Sequence, residues 1–139
     1  MCTSFKVALL NGEMDFSSDT SQTFKIALFT SSATLNASTT AYSTTNEVSG
    51  TGYTAGGNTL TISTNPTNAT SGTTAFLSFS DTTWASSTIT ARGALIYKSG
   101  GTNPSIAVLD FGADKSSSNS TFKVEFPTAS DTTAILRIG

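Results

Sequence analysis

Short stretches in which apolar and polar residues alternate constrain the fold of this chain more than any other feature of its sequence. Residues 23–30 place Phe24, Ile26 and Leu28 on one side of an extended backbone, which is typical of a half-buried β-strand. The other stretches that predict strands are residues 58–64, 74–80, 88–98, 105–111, 121–126 and 134–138, with residues 81–85 as a short strand or corner. Seven or eight such strands predict an all-β fold, an antiparallel β-sandwich. A jelly-roll and an immunoglobulin-like topology fit the alternation equally well.

The connections between these strands differ in length and composition. Residues 31–48 form a long polar connection, and we expect Leu35, Ala41 and Tyr42 to anchor it. Ordered loops of this length are uncommon and are often functional. Two further polar connections are predicted, a turn at residues 66–72 and a loop at residues 113–120.

The first residues contain the best helix candidate in the chain. Thr3 or Ser4 is expected to cap this helix, Phe5 and Leu9 lie on one of its faces, and the Asn-Gly pair at residues 11–12 ends it. A helix of one or two turns is unstable alone. We therefore expect it to pack on the sheet or on a partner.

The composition fits one stable domain with a weakly charged surface. Of the 139 residues, 37% are hydrophobic and 12% are charged, and nine Phe are available for a core. We expect a single domain over residues 1–139, with residues 1–20 as an N-terminal arm or short helix. The net charge is −2 and the seven Lys and Arg are scattered, so we expect neither nucleic acid nor a membrane as a partner. The apolar run at the N-terminus is too short for a signal sequence, which predicts synthesis in the cytoplasm.

Enzymatic chemistry has few candidate residues in this sequence. There is no histidine, the side chain that most enzymes use for proton transfer near neutral pH. Cys2 is the only cysteine, which excludes an intramolecular disulfide and a zinc cluster of several cysteines. Asp110 and Asp114 flank a glycine, but they lack the repeated Asp-x-Asp spacing of a calcium loop. We therefore expect no catalytic residue, no cofactor and no metal.

Two segments hold further residues of interest. Residues 50–57 are rich in glycine around Tyr53, and a strand pattern follows them where a dinucleotide-binding motif requires a helix, so they predict a tight corner. Arg92 lies within the longest predicted strand, where a charge is costly unless it is paired. Two interpretations stay open, an ion pair between subunits or layers and an edge residue that reaches water. The acidic residues considered as partners are Asp81, Glu47 and Asp110.

Two longer motifs resemble a known protein family. They are Glu-Val-Ser-Gly-Thr-Gly-Tyr at residues 47–53 and Ile-Thr-Ala-Arg-Gly-Ala-Leu-Ile-Tyr at residues 89–97. With residues 2–6, 24–33 and 42–60, Trp84 and residues 107–112, they make nearly the whole chain resemble small structural proteins of tailed bacteriophages, some of which serve as capsid cement (decoration) proteins. The resemblance implies a non-enzymatic virion protein, made in the host cytoplasm and located on the capsid surface. Its implied partners are the major capsid protein and further copies of itself, as a dimer or trimer.

Contacts with such partners are expected at the arm, the long loop and the glycine-rich corner. The candidate interface residues are Phe5, Leu9, Leu10, Leu35, Tyr42, Tyr53 and Arg92. The alternative is that Phe5 and Leu9 only fill the sandwich and that Tyr42 and Tyr53 only brace corners. A second functional hypothesis is a tail-associated or fibre protein that attaches to host-surface glycans, which an exposed Trp84 would favour. A hydrolase with two carboxylates in a cleft is the third and least favoured hypothesis.

Overall fold

One helix and eight strands form the regular structure of the residues that the computed structural model describes, 1–66 and 70–139. They are α1 (Thr3–Leu10), β1 (Thr23–Phe29), β2 (Asn58–Leu60), β3 (Ile62–Thr64), β4 (Thr70–Ser71), β5 (Thr74–Phe79), β6 (Thr82–Ser99), β7 (Ser105–Val124) and β8 (Leu136–Ile138). The strands form two antiparallel sheets, one in the order β2-β1-β6-β7 and one in the order β3-β5-β4, with β8 also paired to β5. The predicted fold class, an all-β sandwich with a short N-terminal helix, is confirmed.

The main apolar core joins α1 to both sheets. A row of phenylalanine rings runs through it, with centroids 6.0 Å apart for Phe5 and Phe16, 4.6 Å for Phe16 and Phe24, and 6.3 Å for Phe24 and Phe79. Offset and edge contacts of this kind add to the free energy gained by burying each ring. The row links the helix, the segment after it, β1 of the larger sheet and β5 of the smaller one.

The start of α1 is held by the sheet. Cys2 precedes the helix, and its backbone N–H donates a hydrogen bond of 2.8 Å to the carbonyl oxygen of Ile106 in β7. The predicted hydroxyl cap by Thr3 or Ser4 is wrong, because both residues lie within the helix. The hydroxyl of Ser4 instead lies 3.2 Å from that of Ser105, across the contact between helix and sheet.

The polar loop predicted at residues 113–120 is also wrong, because these residues belong to β7 and pair with β6. Their hydroxyls find partners across the ladder: Ser87 Oγ lies 2.7 Å from Ser117 Oγ, and Thr90 Oγ1 lies 2.7 Å from Ser116 Oγ. Ser87 is fully buried. Polar residues therefore continue the strand by pairing with each other, which apolar alternation does not reveal.

The strand predicted at residues 88–98 begins earlier than expected. Residues 81–85, predicted as a separate strand or corner, contain the start of β6, which pairs Trp84 with Phe122 of β7. The side chain of Trp84 belongs to the core, since the residue is only 4% exposed.

Two other predicted boundaries differ from the structure or lie partly outside it. The single strand expected at residues 58–64 is two strands, because the chain leaves the larger sheet and enters the smaller one at Thr61. The turn predicted at residues 66–72 includes residues 67–69, which lie outside the described residues.

Gly57 is the position at which the backbone tolerates a side chain least. Its φ angle is +69°, and a Cβ atom there would lie 1.8 Å from the carbonyl oxygen of Ile26. The turn before β2 thus runs directly against the backbone of β1. Only glycine allows both this conformation and this approach.

We expect Gly57→Ala to lower the free energy of unfolding by about 4 kcal/mol or more, because the backbone of β1 or β2 must move. Gly101→Ala is the matched control, since Gly101 has a φ of +60° and a Cβ atom added there would have no neighbour within 4 Å. That control strains only the local backbone and should cost about 1 kcal/mol. Urea unfolding followed by circular dichroism measures both values. Equal losses would show that the approach to Ile26 is unimportant.

Candidate functional site

Residues 30–57, which we call the strap, begin on the face of the four-stranded sheet that points away from the main core, where Leu35 and Tyr42 pack. They then pass along β1 to the main core, which Val48 and Tyr53 contact. The backbone N–H of Val48 donates a hydrogen bond of 2.9 Å to the carbonyl oxygen of Leu28, which fixes the return of the strap along β1. Leu35 and Tyr42 anchor the strap, as predicted, by packing on a second apolar cluster. That cluster consists of Ala27, Phe29, Leu95 and Tyr97. Ala41, the third predicted anchor, is not part of these contacts and instead forms a backbone bridge with Pro104. The strap therefore buries a sheet face that would otherwise be exposed.

The carboxylate of Glu47 is the polar centre of the strap. The hydroxyl of Tyr42 donates to its Oε2 at 2.6 Å, and the hydroxyl of Tyr53 donates to its Oε1 at 2.7 Å. The backbone N–H of Gly56 also donates to Oε1, at 2.7 Å. Hydrogen bonds to an ionised acceptor are shorter and stronger than neutral ones. We call Glu47, Tyr42, Tyr53 and Gly56, together with Tyr97, the tyrosine clamp.

The clamp joins the strap to two strands of the sheet. The backbone N–H of Leu28 in β1 donates to the hydroxyl of Tyr53 at 2.9 Å. From β6, the hydroxyl of Tyr97 donates to the carbonyl oxygen of Gly56 at 2.8 Å. The ring of Tyr42 stacks on that of Tyr97, with centroids 4.6 Å apart and planes inclined by 10°. Each tyrosine thus combines an apolar contact with a satisfied hydroxyl group.

Burial, followed by the hydrogen bond to Glu47, raises the pKa of Tyr42 and of Tyr53 well above the usual value of a phenol. Burial and the charge of Glu47 also raise the pKa of Tyr97. A general acid or base works best when its pKa lies near the working pH. These shifts move the phenols away from that range and keep them protonated, so the clamp is suited to holding the strap rigid.

Arg92 lies at the surface of β6, beside the strap. Its Nε is 3.6 Å from Oδ1 of Asp110, and the two side chains are 44% and 75% exposed. An exposed pair with this separation contributes little to stability. The other two acidic residues considered as partners are engaged elsewhere, Glu47 in the clamp and Asp81 with Lys123 at 3.0 Å. Within this chain, Arg92 therefore reaches water.

The structure brings some of the candidate interface residues together and separates others. Leu35 and Arg92 line one shallow depression of about 270 Å³ on the outer face of the sheet. Tyr42 and Tyr53 meet at Glu47, and both are partly buried. Their contribution to an interface stays a prediction.

The three candidates in the N-terminal arm occupy three environments. Phe5 is buried in the core, Leu9 is partly buried against it, and Leu10 is 89% exposed at the end of α1. Phe5 thus has a core role whatever else it contacts. Leu10 projects an apolar side chain into solvent.

An apolar groove of about 140 Å³ lies beside α1 and β8. We call it the α1–β8 groove. Its lining comes from α1 and the residues around it (Met1, Phe5, Leu9 and Phe16), from Pro66, from residues 75–77 of β5 and from residues 136–138 of β8. Met1 is 44% and Ile138 is 52% exposed. Among the described residues, the large apolar side chains that are well exposed all belong to the N-terminal segment or to β8, the other two being Val7 and Leu10. Of these four residues, Met1 and Ile138 line the groove, which makes it a candidate interaction surface.

Sequence reasoning misses two parts of this arrangement. It treats Glu47 as a possible partner of Arg92 and as part of a motif, and does not identify it as the acceptor that Tyr42 and Tyr53, which lie on either side of it in the sequence, share. It assigns Ile138 only to a closing strand. The place of Ile138 beside the helix depends on the pairing of β8 with β5, which no local pattern predicts.

Comparison of the chain with models of protein families, with curated proteins and with solved structures finds no match. The described residues contain no helix that is long and apolar enough to span a membrane. Among the same residues, no group of three or more His, Cys, Asp or Glu is placed to hold a metal ion. The features that bear on function are therefore the clamp, the groove and the sequence motifs.

We expect Glu47→Gln to lower the free energy of unfolding by about 2 kcal/mol, because one amide oxygen cannot replace a charged acceptor of three hydrogen bonds. Glu125→Gln is the matched control, since Glu125 is exposed and pairs only with Lys123 among the described residues. That variant should unfold at nearly the same urea concentration as the unmodified protein. A similar loss in both variants would attribute the effect to net charge and contradict the clamp.

The raised pKa values of Tyr42 and Tyr53 predict a loss of stability in alkali. An unfolded tyrosine ionises at a pH of about 10, so the contribution of the clamp is complete below that pH and disappears as the pH rises above it. Absorbance of tyrosinate at increasing pH, recorded with circular dichroism, should show ionisation together with unfolding. Tyr53→Phe should weaken this alkaline dependence while lowering stability at neutral pH. Ionisation of all three tyrosines near pH 10 in an intact fold would exclude the clamp.

Proposed function

We propose that this protein is a non-enzymatic structural protein of a tailed-bacteriophage virion, a capsid cement (decoration) protein. It binds the major capsid protein and further copies of itself, as a dimer or trimer, at the capsid surface. The resemblance of residues 47–53 and 89–97 to this family supports the virion assignment. The α1–β8 groove supports a binding role.

The groove is the observation that carries this proposal. Its exposed apolar side chains, Met1 and Ile138, belong to a chain whose other large apolar residues, as far as the structure describes them, are mostly covered. Exposing such side chains to water costs free energy that a partner recovers by covering them. The groove is therefore suited to contact with a partner.

The two motifs that carry the resemblance meet in one structural unit. Residues 47–53 supply Glu47 and Tyr53 to the clamp, and residues 89–97 supply Tyr97. The motifs that carry the resemblance therefore lie in the part of the chain that fixes the strap against β1 and β6. A rigid strap loses little conformational entropy when it contacts a neighbour.

The glycan-binding alternative has less support from the aromatic residues. Sugar recognition by stacking requires an exposed ring face, and Trp84 is 4% exposed. Every aromatic side chain in residues 1–66 and 70–139 is at least partly buried. We therefore place the capsid role ahead of attachment to host glycans.

Copy number per particle tests the proposal. Purified particles that contain this protein should carry on the order of hundreds of copies, because a cement protein follows the symmetry of the shell. Quantitative mass spectrometry against the major capsid protein gives the number, and image reconstruction gives the location. A handful of copies located on the tail would contradict the capsid role, and turnover of a polysaccharide by the purified protein would contradict the non-enzymatic one.

A further inference from the structure

The end of α1 carries the single Asn-Gly pair of the sequence, Asn11 and Gly12. Such a pair is reactive in water, because the backbone nitrogen of the glycine can attack the side-chain amide carbon of the asparagine. Glycine favours this attack, since it has no side chain to hinder the approach. Both residues are exposed, and a Cβ atom added at Gly12 would have no neighbour within 4 Å. Water therefore has open access to the pair.

The same two residues close the helix. Gly12 has a φ angle of +72°, and its backbone N–H donates a hydrogen bond of 3.1 Å to the carbonyl oxygen of Leu9. The N–H of Glu13 donates at 2.9 Å to the carbonyl oxygen of Ala8. These two hydrogen bonds form a Schellman motif, a common helix end at glycine. We call them the cap of α1.

The closed cap holds the reactive atoms apart. The ψ angle of Asn11 is −4°, which places the nitrogen of Gly12 near the backbone nitrogen of Asn11 and away from the Asn11 side chain. The N–H of Gly12 is also engaged by Leu9. Attack on the side chain requires rotation about ψ of Asn11 and loss of this hydrogen bond. The last turn of a helix opens more readily than the body of a fold, so this rotation does not require unfolding of the sheets.

We propose that Asn11 is a site of spontaneous deamidation and that the cap of α1 controls its rate. When the cap opens, the nitrogen of Gly12 gives its proton to hydroxide and forms a bond to Cγ of Asn11. The bond from Cγ to the amide nitrogen breaks, and ammonia leaves. Water then opens the cyclic imide at one of its two carbonyl carbons, which leaves aspartate or isoaspartate at position 11. This site does not depend on the capsid role.

Both products weaken the cap from which they arise. Nδ2 of Asn11 donates to Oε1 of Glu13 at 3.2 Å, and a carboxylate at position 11 replaces this contact by the approach of two like charges. Negative charge is also unfavourable at the C-terminal end of a helix. Isoaspartate in addition lengthens the main chain by one carbon, which displaces the N–H of Gly12 from Leu9. The reaction therefore converts a transient opening of α1 into a permanent one.

Mass spectrometry of the folded protein during storage at mildly alkaline pH measures the reaction, because the exchange of an amide for an acid raises the mass. The reference is a synthetic peptide of residues 7–15. Asn11 in the protein should react about tenfold or more slowly than in the peptide, since only the open fraction reacts. Asn36 is the internal control, because it is exposed but is followed by alanine, and it should stay unchanged.

Substitution of Leu10, which is 89% exposed, tests control by the cap. Leu10→Gly lowers the helix propensity of the last turn and should accelerate the reaction about fourfold. Leu10→Ala is the matched control, since it removes the same side chain, keeps the helix propensity and should leave the rate unchanged. Each rate is divided by that of a peptide with the same substitution, which removes direct effects on the chemistry.

Gly101→Ala separates local opening from unfolding of the whole protein. It strains the turn between β6 and β7, outside α1, and should leave the rate at Asn11 unchanged. Equal acceleration in Gly101→Ala and Leu10→Gly would overturn control by the cap, and so would a rate in the folded protein equal to that in the peptide. An intact Asn11 in both the unmodified protein and Leu10→Gly, after the peptide has reacted completely, would overturn the site itself.

Discussion

The carboxylate of Glu47 organises the strap, because it accepts three hydrogen bonds from strap residues that themselves contact β1 and β6. Tyr42 and Tyr53 approach it from two directions, and Gly56 adds a backbone N–H. Tyr53 also accepts the N–H of Leu28, so the same network satisfies a polar group of the sheet. With this acceptor in place, the strap can cover an apolar sheet face while the tyrosine hydroxyls that it buries stay paired.

Pairs of hydroxyl groups form a second set of hydrogen bonds, between β6 and β7. Ser87 is fully buried and lies against Ser117, while Thr90 and Ser116 form a similar contact at the surface. A buried hydroxyl is tolerated when it has a hydrogen-bond partner. Only 12% of the residues are charged. Long strands are compatible with this low share, because paired hydroxyl groups keep the strands polar.

The alternation of apolar residues is sufficient to predict the sandwich. The packing of Leu35 and Tyr42 is predicted by a different signal, their place as isolated apolar residues in a long polar connection. Alternation is not sufficient for residues 113–120, because their pairing depends on hydroxyls of a distant strand. The role of Glu47 escapes sequence reasoning for a related reason. The groups that donate hydrogen bonds to Glu47 come together only after the strap has folded back on β1. The number of residues between them does not predict the direction in which the strap folds. Local patterns thus predict which residues are buried, but the partners in the hydrogen-bond network become known only from the tertiary structure.

The short helix α1 forms one side of the α1–β8 groove. A helix of eight residues does not persist alone in water, and this one is fixed by Phe5 in the core and by the bond from Cys2 to Ile106. The sequence suggests an arm that packs on the sheet or on a partner, and in this structure it packs on the sheet. Met1 and Leu9 are consequently held beside β8 before any partner arrives. A groove that is already formed needs little ordering on binding, so even a small contact can be effective when the symmetry of a shell repeats it.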